Sequence, residues 1–381
     1  MSSSDPLYPW LVLANAPGLG PKTLDRLLQR FASPSEIAGA GRRELTAVGL
    51  DPAVAAAIEA PDKALIEATL AWAEQGQAAI LTRDDPRYPA RLAAIDGAPF
   101  ILYVYGHSDT LNDPQLAIVG SRSPTPQGLA ITRALARRFA GDGLTITSGL
   151  ASGIDGAAHE GALEAGRTLA VLGTGPDRVY PASHRGLAER IAASGALVTE
   201  YPPGVGPRAG HFPRRNRLIS GLSLGTLVTE AAQRSGSLIT ARLAAEQGRE
   251  VFAVPGSIRN PRARGCHALI RQGAKLVETA DDVLVELLPQ LADIVAAPRQ
   301  PEALPSAGGT GASLDEDCLR LLACMGYDPI APDELIARSG LPAANVGSML
   351  LLLELQGHVS SCPGGRYCRE AGVGAQPGHC V

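Results

Sequence analysis

The chain of 381 residues lacks the two common nucleotide-binding motifs. Lysine is almost absent, at positions 22, 63 and 275 only, and no Gly-x-x-x-x-Gly-Lys-Ser/Thr sequence is present. A P-loop needs that lysine beside its glycines, so a P-loop ATPase is disfavoured. A Gly-x-Gly-x-x-Gly sequence is also missing after the first buried run of the central part, near residue 116. We therefore expect no NAD and no other cofactor.

Paired cysteines and long apolar runs are missing as well. The 6 cysteines form no Cys-x-x-Cys pair, which argues against a zinc site, and we predict no metal. No run of about 18 apolar residues is available to cross a membrane. No basic start precedes an apolar run, as it does in a signal peptide. These absences predict a cytoplasmic protein without membrane contact, whose thiols stay reduced.

Aromatic residues are scarce, at 4%, and positive charge is not in excess, because the net charge is −4. A uniformly basic nucleic-acid binder is therefore disfavoured. The charge is unevenly distributed, however. Residues 205–275 hold 12 Lys and Arg against 3 acids, a net charge of +9 that leaves −13 elsewhere. This segregation indicates a local anionic partner.

Alternating apolar and amphipathic segments dominate the middle of the chain. Strand candidates recur near residues 116, 145, 168, 197, 225, 250 and 275. The helical segments between and after them are predicted at 128–140, 153–165, 183–193, 213–221, 237–247, 265–272 and 280–288. This alternation predicts an α/β fold, with a mostly parallel, doubly wound, Rossmann-like sheet. The loops at the carboxyl ends of its strands are expected to form the binding crevice.

The length predicts more than one domain. The first residues read as short helices around the turn Pro17-Gly18-Leu19-Gly20, a pattern typical of a sterile-alpha-motif or helix-hairpin-helix module. The last part predicts three helices and a hairpin, as in a winged helix, but its candidate recognition helix, 343–356, carries no Lys or Arg. Reading of a DNA major groove by that helix is therefore disfavoured. The predicted parts are a helical domain 1–77, an extended strap 78–112, a Rossmann-like domain 113–290, a linker 291–312, a winged-helix-like domain 313–370 and a disordered tail 371–381.

Glycine, serine and arginine are concentrated in the predicted loops at the strand ends. Backbone N–H groups at a glycine turn that opens a helix are unpaired and lie at the positive end of the helix dipole, so an anion is favoured there. The bland interpretation is that the glycines only allow tight turns and the arginines form a solvated face. Several such turns at one sheet edge favour a phosphate site. The candidate site residues are Gly120, Ser121, Arg122, Ser148, Gly149, Gly153, Phe212, Arg214, Arg215, Asn216, Arg217, Ser235, Gly236, Ser237, Thr240 and Arg242.

The combination of these segments resembles the DNA-processing protein A (DprA, or Smf) family of bacterial transformation proteins. The segments that carry the resemblance are 120–122, 148–155, 212–222, 235–241 and 248–256. The resemblance implies an extended Rossmann domain that binds single-stranded DNA without catalysis, protects incoming DNA, forms a homodimer and helps to load the RecA recombinase. Position 152 is Ser where many members have Arg, which lowers the charge of that loop.

An enzymatic alternative comes from the lysine-decarboxylase-like Rossmann group, which hydrolyses nucleotide N-glycosides. That group uses a Pro-Gly-Gly-x-Gly-Thr-x-x-Glu loop. The segment 223–230 keeps Gly-Thr-x-x-x-Glu and lacks the double glycine. Glu230 is then either a relic of that loop or a helix-capping acid.

Phe212 is the aromatic residue that adjoins the arginine turn 214–217. Single-strand binders combine a positive groove with aromatic rings on which bases stack. We therefore expect Phe212 to stack on a base, the alternative being that it packs as core beneath its helix. Arg122, Arg215 and Arg217 are predicted to contact phosphates.

Overall fold

The computed structural model describes residues 5–296, 316–325, 330–342, 346–347, 349–350, 353–354, 358–362 and 366–369. The chain divides into two compact units, Met1–Pro298 and Arg299–Val381. Within the described part of the chain, no helix is both long enough and apolar enough to cross a membrane.

Six short helices open the first unit, as the sequence predicts. They are α1 (Tyr8–Ala14), α2 (Pro21–Leu28), α3 (Pro34–Gly39), α4 (Arg42–Ala47), α5 (Pro52–Glu59) and α6 (Lys63–Ala73). Proline stands at the start of α2, α3 and α5, where its missing N–H group costs nothing. Ser33, Asp51 and Asp62 cap the starts of α3, α5 and α6 by accepting backbone N–H groups. Gly18, at φ +88°, makes the turn before α2.

The segment predicted as a separate strap, 78–112, is instead part of the main sheet. It supplies β1 (Ala78–Thr82) and β2 (Ile101–Gly106), with the short helix α7 (Ala90–Ala93) between them. β1 pairs antiparallel with β2, and β2 pairs antiparallel with β6. Ile80 and Tyr103 are buried in one apolar cluster with the N-terminal helices. The strap and the helical module therefore share a core, because this strand pair is apolar on both faces.

Seven parallel strands complete a nine-stranded sheet of order β1-β2-β6-β5-β4-β3-β7-β8-β9. They are β3 (Gln115–Val119), β4 (Thr145–Ser148), β5 (Thr168–Val171), β6 (Ala196–Thr199), β7 (Gly225–Val228), β8 (Glu250–Ala253) and β9 (Lys275–Leu276). Each predicted strand is present. The chain builds β4 to β6 on one side of β3 and then crosses to build β7 to β9 on the other. The point where the order reverses therefore lies between β3 and β7.

Helices cover both faces of this sheet, which confirms the doubly wound prediction. They are α8 (Pro126–Gly141), α9 (Ile154–Ala162), α10 (Arg185–Ser194), α11 (His211–Leu222), α12 (Ser237–Glu246), α13 (Arg264–Arg271) and α14 (Ala280–Ala296). Residues of α8, α9 and α14 share one core, with Phe139, Ile154 and Leu287. Residues of α7, α11 and α12 share another, with Leu92, Leu218 and Ala241.

The start of the linker was predicted too early. Helix α14 continues through Pro289 to Ala296, although 291–312 was predicted to be a linker. Val283 and Leu287 are buried, and Leu291 packs against the same core one turn later. Continued apolar contact therefore outweighs the hydrogen bond that the proline removes. The rest of the predicted linker, 297–312, lies outside the described residues.

The second unit contains α15 (Glu316–Met325), α16 (Pro332–Ser339) and an antiparallel hairpin of β10 (Val359–Cys362) and β11 (Arg366–Arg369). Leu321, Leu335, Val346, Leu350 and Leu353 are buried in one cluster. Most of the predicted recognition helix 343–356, and the tail 371–381, lie outside the described residues.

Candidate functional site

A cleft of about 830 Å³ opens where β3 and β7 end. It lies at the switch point of the sheet, where doubly wound proteins bind ligands. Three segments surround it: the turn after β3, the start of α11, and the loop that leads into α12. Of the predicted site residues, the cleft brings together Gly120, Ser121, Arg122, Phe212, Arg215, Asn216, Ser235, Gly236, Ser237 and Thr240.

The turn after β3 presents Arg122 to solvent at the edge of the cleft. Gly120 allows this turn because a Cβ atom there would lie 2.6 Å from Ile154 Cγ1 and 2.8 Å from the Glu230 carbonyl oxygen. Ser121 N donates to that same carbonyl at 2.7 Å. The turn is therefore fixed by packing, and its charge comes from Arg122.

The turn after β4 is closed by internal hydrogen bonds, which argues against the predicted binding of an anion by its N–H groups. Gly149 N and Ala151 N donate to the Asp155 carboxylate at 3.2 and 3.3 Å. Ser148 Oγ is buried and donates to the Ile118 carbonyl at 2.6 Å. Gly153 adopts φ +85°, which glycine favours. Ser148, Gly149 and Gly153 do not line the cleft and act by shaping its floor.

Arg215 is buried beneath the cleft rather than free to contact a phosphate. Its guanidinium donates to the Gly149 carbonyl at 2.7 Å and also to the Val171 carbonyl, which joins the ends of β4 and β5. A Cβ atom on Gly149 would lie 2.5 Å from this guanidinium. Burial lowers the pKa of Arg215 to about 10, so the side chain stays charged at neutral pH. Burial also raises the pKa of Asp155, against the opposing effect of Arg215.

Arg217 is also committed to the protein. Its Nη1 and Nη2 atoms each lie 2.8 Å from a carboxylate oxygen of Glu200, whose side chain is 5% exposed. Arg214 lies 3.3 Å from the same carboxylate and is more exposed. Neither arginine lines the cleft, nor does Arg242 on α12. The pairing with Glu200, in the loop before α11, argues against the predicted free phosphate contact by Arg217.

Phe212 lines the cleft as a half-buried ring and is not core. It rests on Gly173, where a Cβ atom would lie 2.9 Å from Phe212 Cδ1. The Phe212 ring centroid lies 5.4 Å from that of Tyr180 and 5.7 Å from Arg122 Cζ. Tyr180 is 47% exposed. We define Phe212 and Tyr180 as the aromatic pair.

Tyr180, Arg208 and Arg234 also line the cleft, although none of them is among the candidate site residues predicted from the sequence. A signal for Tyr180 was present, because the loop after β5 ends at the same sheet edge as the other candidate loops. Arg208 and Arg234 belong to the basic stretch 205–275 and are exposed. Asp155 is the single acid among the residues that line the cleft, and its carboxylate accepts from Gly149 N and Ala151 N. The cleft is therefore positive at its rim.

Helix α12 begins at the cleft with Ser237, and Ser235 Oγ lies 2.7 Å from Ser237 Oγ. Asn216 reaches the carbonyl of Gly236 at 3.5 Å, and Thr240 lies one turn into α12. The first N–H groups of α12 are bonded to the loop before it, since Leu238 N donates to the Ser235 carbonyl at 3.2 Å and Ile239 N to the Gly236 carbonyl at 3.1 Å. The helix dipole still places positive charge at this end. This wall of the cleft therefore offers the hydroxyl groups of Ser235, Ser237 and Thr240 beside the positive end of a helix dipole.

Glu230 is a capping acid in this structure. Its carboxylate accepts from Thr125 N at 2.8 Å and from Thr125 Oγ1 at 2.6 Å, and Thr125 is the N-cap of α8. Gly128 packs on the same carboxylate, since a Cβ atom there would lie 2.7 Å from Glu230 Cδ. Both carboxylate oxygens are thus engaged at the start of α8.

The fold and the cleft define a Rossmann-like binding domain whose ligand site lies at the switch point and combines arginines with aromatic rings. The family model described as DNA recombination-mediator protein A matches residues 79–288, and a DprA winged helix domain matches residues 301–365. The chain belongs to the DNA recombination-mediator protein A family. The resemblance seen in the sequence is thereby confirmed, together with the winged-helix prediction.

Known relatives are similar over most of their length. Protein Smf of Escherichia coli K12 is 45% identical over 303 residues, which cover 79% of this chain and 80% of that protein. The structure of DprA from Streptococcus pneumoniae has a TM-score of 0.65 and 36% identity, covering 73% of this chain and 96% of that one. A structure of DprA from Helicobacter pylori, described as having a unique single-stranded DNA binding mode, has a TM-score of 0.52 and 30% identity. The match covers 56% of this chain and 97% of that one.

Proposed function

We propose that the protein binds single-stranded DNA in the cleft, protects DNA that enters the cell during natural transformation, and helps to load the RecA recombinase, without catalysing a reaction. The observation that carries the proposal is the aromatic pair beside Arg122, which has no carboxylate oxygen within 4.0 Å among the described residues, with Arg208 and Arg234 in the same cleft. Membership in a recombination-mediator family supports it.

The cleft suits a single strand better than a duplex. Phe212 and Tyr180 offer ring faces to unpaired bases, and stacking of this kind is indifferent to sequence. A duplex keeps its bases stacked on each other and presents only its backbone. Fluorescence anisotropy with a thymidine oligomer and a matched duplex tests the proposal, and equal affinities for the two would contradict it.

The alternative is a nucleotide N-glycoside hydrolase. Its candidate acid is Glu230, whose carboxylate oxygens are bound to Thr125 at the start of α8. This arrangement favours a capping role. Incubation with each nucleoside monophosphate, followed by chromatography for released base, distinguishes the two functions. Turnover that is lost in Glu230→Gln, while the protein stays folded, would support the enzyme.

Homodimer formation and delivery of DNA to RecA are further parts of the proposal, as is a cytoplasmic location. Val285 and Leu288 lie one turn apart on α14 and are 63% and 57% exposed, an apolar face suited to a second copy. Sedimentation of Leu288→Asp tests the dimer, which should dissociate.

RecA ATPase activity on single-stranded DNA coated with this protein tests loading. The lag before RecA reaches its steady ATPase rate should shorten when this protein is present. The helical module 1–77 and the winged-helix-like domain 313–370 are proposed as accessory to the cleft.

A further inference from the structure

A second, smaller pocket of about 280 Å³ adjoins the cleft. It is lined by Gln233, Ile258, Arg264, His267 and Arg271. Ala232 and Arg234, on either side of Gln233 in sequence, line the cleft itself. The segment 232–234 therefore lies between the two depressions, and a flexible ligand that leaves the cleft over this segment enters the second pocket.

The second pocket is built on the same strand end as the cleft. Ala231 N donates to the Arg262 carbonyl at 2.7 Å, and Gly265 N donates to the Ala231 carbonyl at 2.8 Å. Gly265 is required there, because a Cβ atom would lie 2.6 Å from that carbonyl. On the far side, His267 Nε2 lies 2.9 Å from the Gly256 carbonyl. These bonds fix the segment 256–265 against the end of β7.

The charge of this pocket is uncompensated. Arg264 and Arg271 are exposed, and among the residues described neither has a carboxylate oxygen within 4.0 Å. The neighbouring arginines at 234, 259 and 262 also have no carboxylate oxygen within 4.0 Å among the described residues. By contrast, Arg133 and Arg138 on α8 pair with acids on the protein surface. Unpaired cations concentrated on one face indicate an anionic ligand.

An apolar side chain stands beside these cations. Ile258 is 83% exposed, the largest exposure among the large apolar residues described. It lies on the loop between Gly256 and Asn260, whose side chain holds that loop by accepting Arg262 N at 3.0 Å. A base with an apolar face can cover Ile258 while its phosphates reach the arginines.

We propose that this pocket is a second subsite for the same single strand, with phosphates held by Arg264 and Arg271 and a base placed over Ile258. The proposal rests on the proposed function of the cleft and extends it, because it assigns the path by which the strand leaves. A long strand then occupies both depressions, and a short one fills only the cleft. An acidic protein segment is the competing occupant.

The test compares thymidine oligomers of about 6 and about 20 nucleotides, lengths that bracket the usual site sizes of single-strand binders. Arg264→Gln and Arg271→Gln should leave affinity for the short oligomer unchanged and weaken the long one several-fold. The slope of log affinity against log salt should fall by about 0.7 per variant on the long oligomer only, as one phosphate contact is lost. Ile258→Ser should weaken the long oligomer without changing that slope, because no counterion is involved.

Two controls make the result decisive. Arg190→Gln removes an exposed arginine of α10 that lines neither depression, and it should match wild type on both oligomers. Arg122→Gln should weaken both oligomers. Unchanged binding of the long oligomer by Arg264→Gln and Arg271→Gln, or equal losses on both lengths, would overturn the second subsite while the cleft stands. Wild type that binds neither oligomer would overturn the proposed function as well.

Discussion

Phe212 and Tyr180 meet at the rim of the cleft with ring centroids 5.4 Å apart and planes inclined by 42°. The two residues come from different loops, at the start of α11 and after β5. Gly173 supports Phe212 from below, and Arg122 lies over its ring. Gly173 and Arg122 thus hold Phe212 in place, and Tyr180 stays half exposed beside it. Such a fixed, open ring surface loses little conformational freedom when a base stacks on it.

Removing either ring should weaken binding of single-stranded DNA. Phe212→Ala and Tyr180→Ala should each cost about 1–3 kcal/mol of binding free energy, the range for loss of base stacking. The salt slope should stay at its wild-type value, because an uncharged ring releases no counterion. Anisotropy titrations at several salt concentrations measure both quantities. Tyr180→Phe is the matched control and should bind like wild type, whereas a folded Phe212→Ala protein with full affinity would refute stacking.

Substitution of Arg122 should change the salt dependence of DNA binding, whereas substitution of Arg217 should change the stability of the fold. Arg122→Gln should lower the salt slope on a single strand by about 0.7, since it removes one phosphate contact. Arg217→Gln should leave the slope unchanged and lower the free energy of unfolding by up to about 3 kcal/mol, because the buried Glu200 then keeps only the exposed Arg214, at 3.3 Å. Glu200→Gln in the Arg217→Gln background should restore part of that loss. A reduced slope in Arg217→Gln would show that it reaches DNA after all.

Arg215 should contribute to the stability of the fold and not to the binding of phosphate. Arg215→Gln should lower the free energy of unfolding by about 3 kcal/mol or more, because it leaves the buried Gly149 and Val171 carbonyls without their donor and removes the positive charge that opposes the effect of burial on Asp155. Adding Asp155→Asn should recover part of this stability, because both buried charges are then gone. Urea denaturation of the single and double variants measures the effect. A stable Arg215→Gln protein with a reduced salt slope would reinstate the direct phosphate contact.

The sheet was predictable because its strands are buried on both faces and so read as continuous apolar runs such as 116–119. The sheet edge that holds the cleft followed from this, since parallel strands end together. The antiparallel addition of β1 and β2 was not predictable in this way, because an extended apolar segment carries no signal for the strand beside which it lies. The helix predicted at 280–288 was ended before Pro289, because a proline usually ends a helix, whereas α14 continues through this proline to Ala296.

The roles of the arginines were the least predictable part of the site. Arg214, Arg215 and Arg217 look equivalent in sequence, yet one is buried against carbonyl groups and another is bound by Glu200. Their helical positions turn them to different sides of α11, and only the packed structure supplies the partners. Tyr180 was missed for a related reason, because its neighbour Phe212 lies 32 residues further along the chain and the two meet only in the folded protein.

The second unit should not be required for single-strand binding. A chain that lacks residues 313–381 should keep its affinity for a thymidine oligomer within a few-fold, because the cleft lies wholly in the first unit. The absence of Lys and Arg from 343–356 also argues against a phosphate contact by that segment. The measurement is anisotropy on the full and shortened chains. A hundred-fold loss on shortening would contradict this prediction.

His159 should make the protein less stable in mild acid. The imidazole is fully buried, and its Nδ1 lies 2.7 Å from Thr168 Oγ1. The Thr168 hydroxyl donates its own proton to the Ile146 carbonyl at 2.6 Å, so it can only accept from His159. Nδ1 therefore carries the ring proton of the neutral imidazole, and Nε2 is unprotonated. Within the described structure Nε2 has no partner, and burial lowers the pKa of His159 to about 3.

Because this pKa is depressed in the folded state, the unfolded chain binds a proton at His159 that the folded chain does not. The contribution of His159 is therefore fully present above a pH of about 6.5 and is lost as the pH falls towards about 3, at about 1.4 kcal/mol per pH unit. Urea denaturation between about pH 7 and about pH 5 measures this dependence in wild type and in His159→Asn, which cannot be protonated in this range. The variant should be less stable at neutral pH and lose less stability on acidification. Parallel pH profiles for the two proteins would show that His159 does not stay neutral in the folded state.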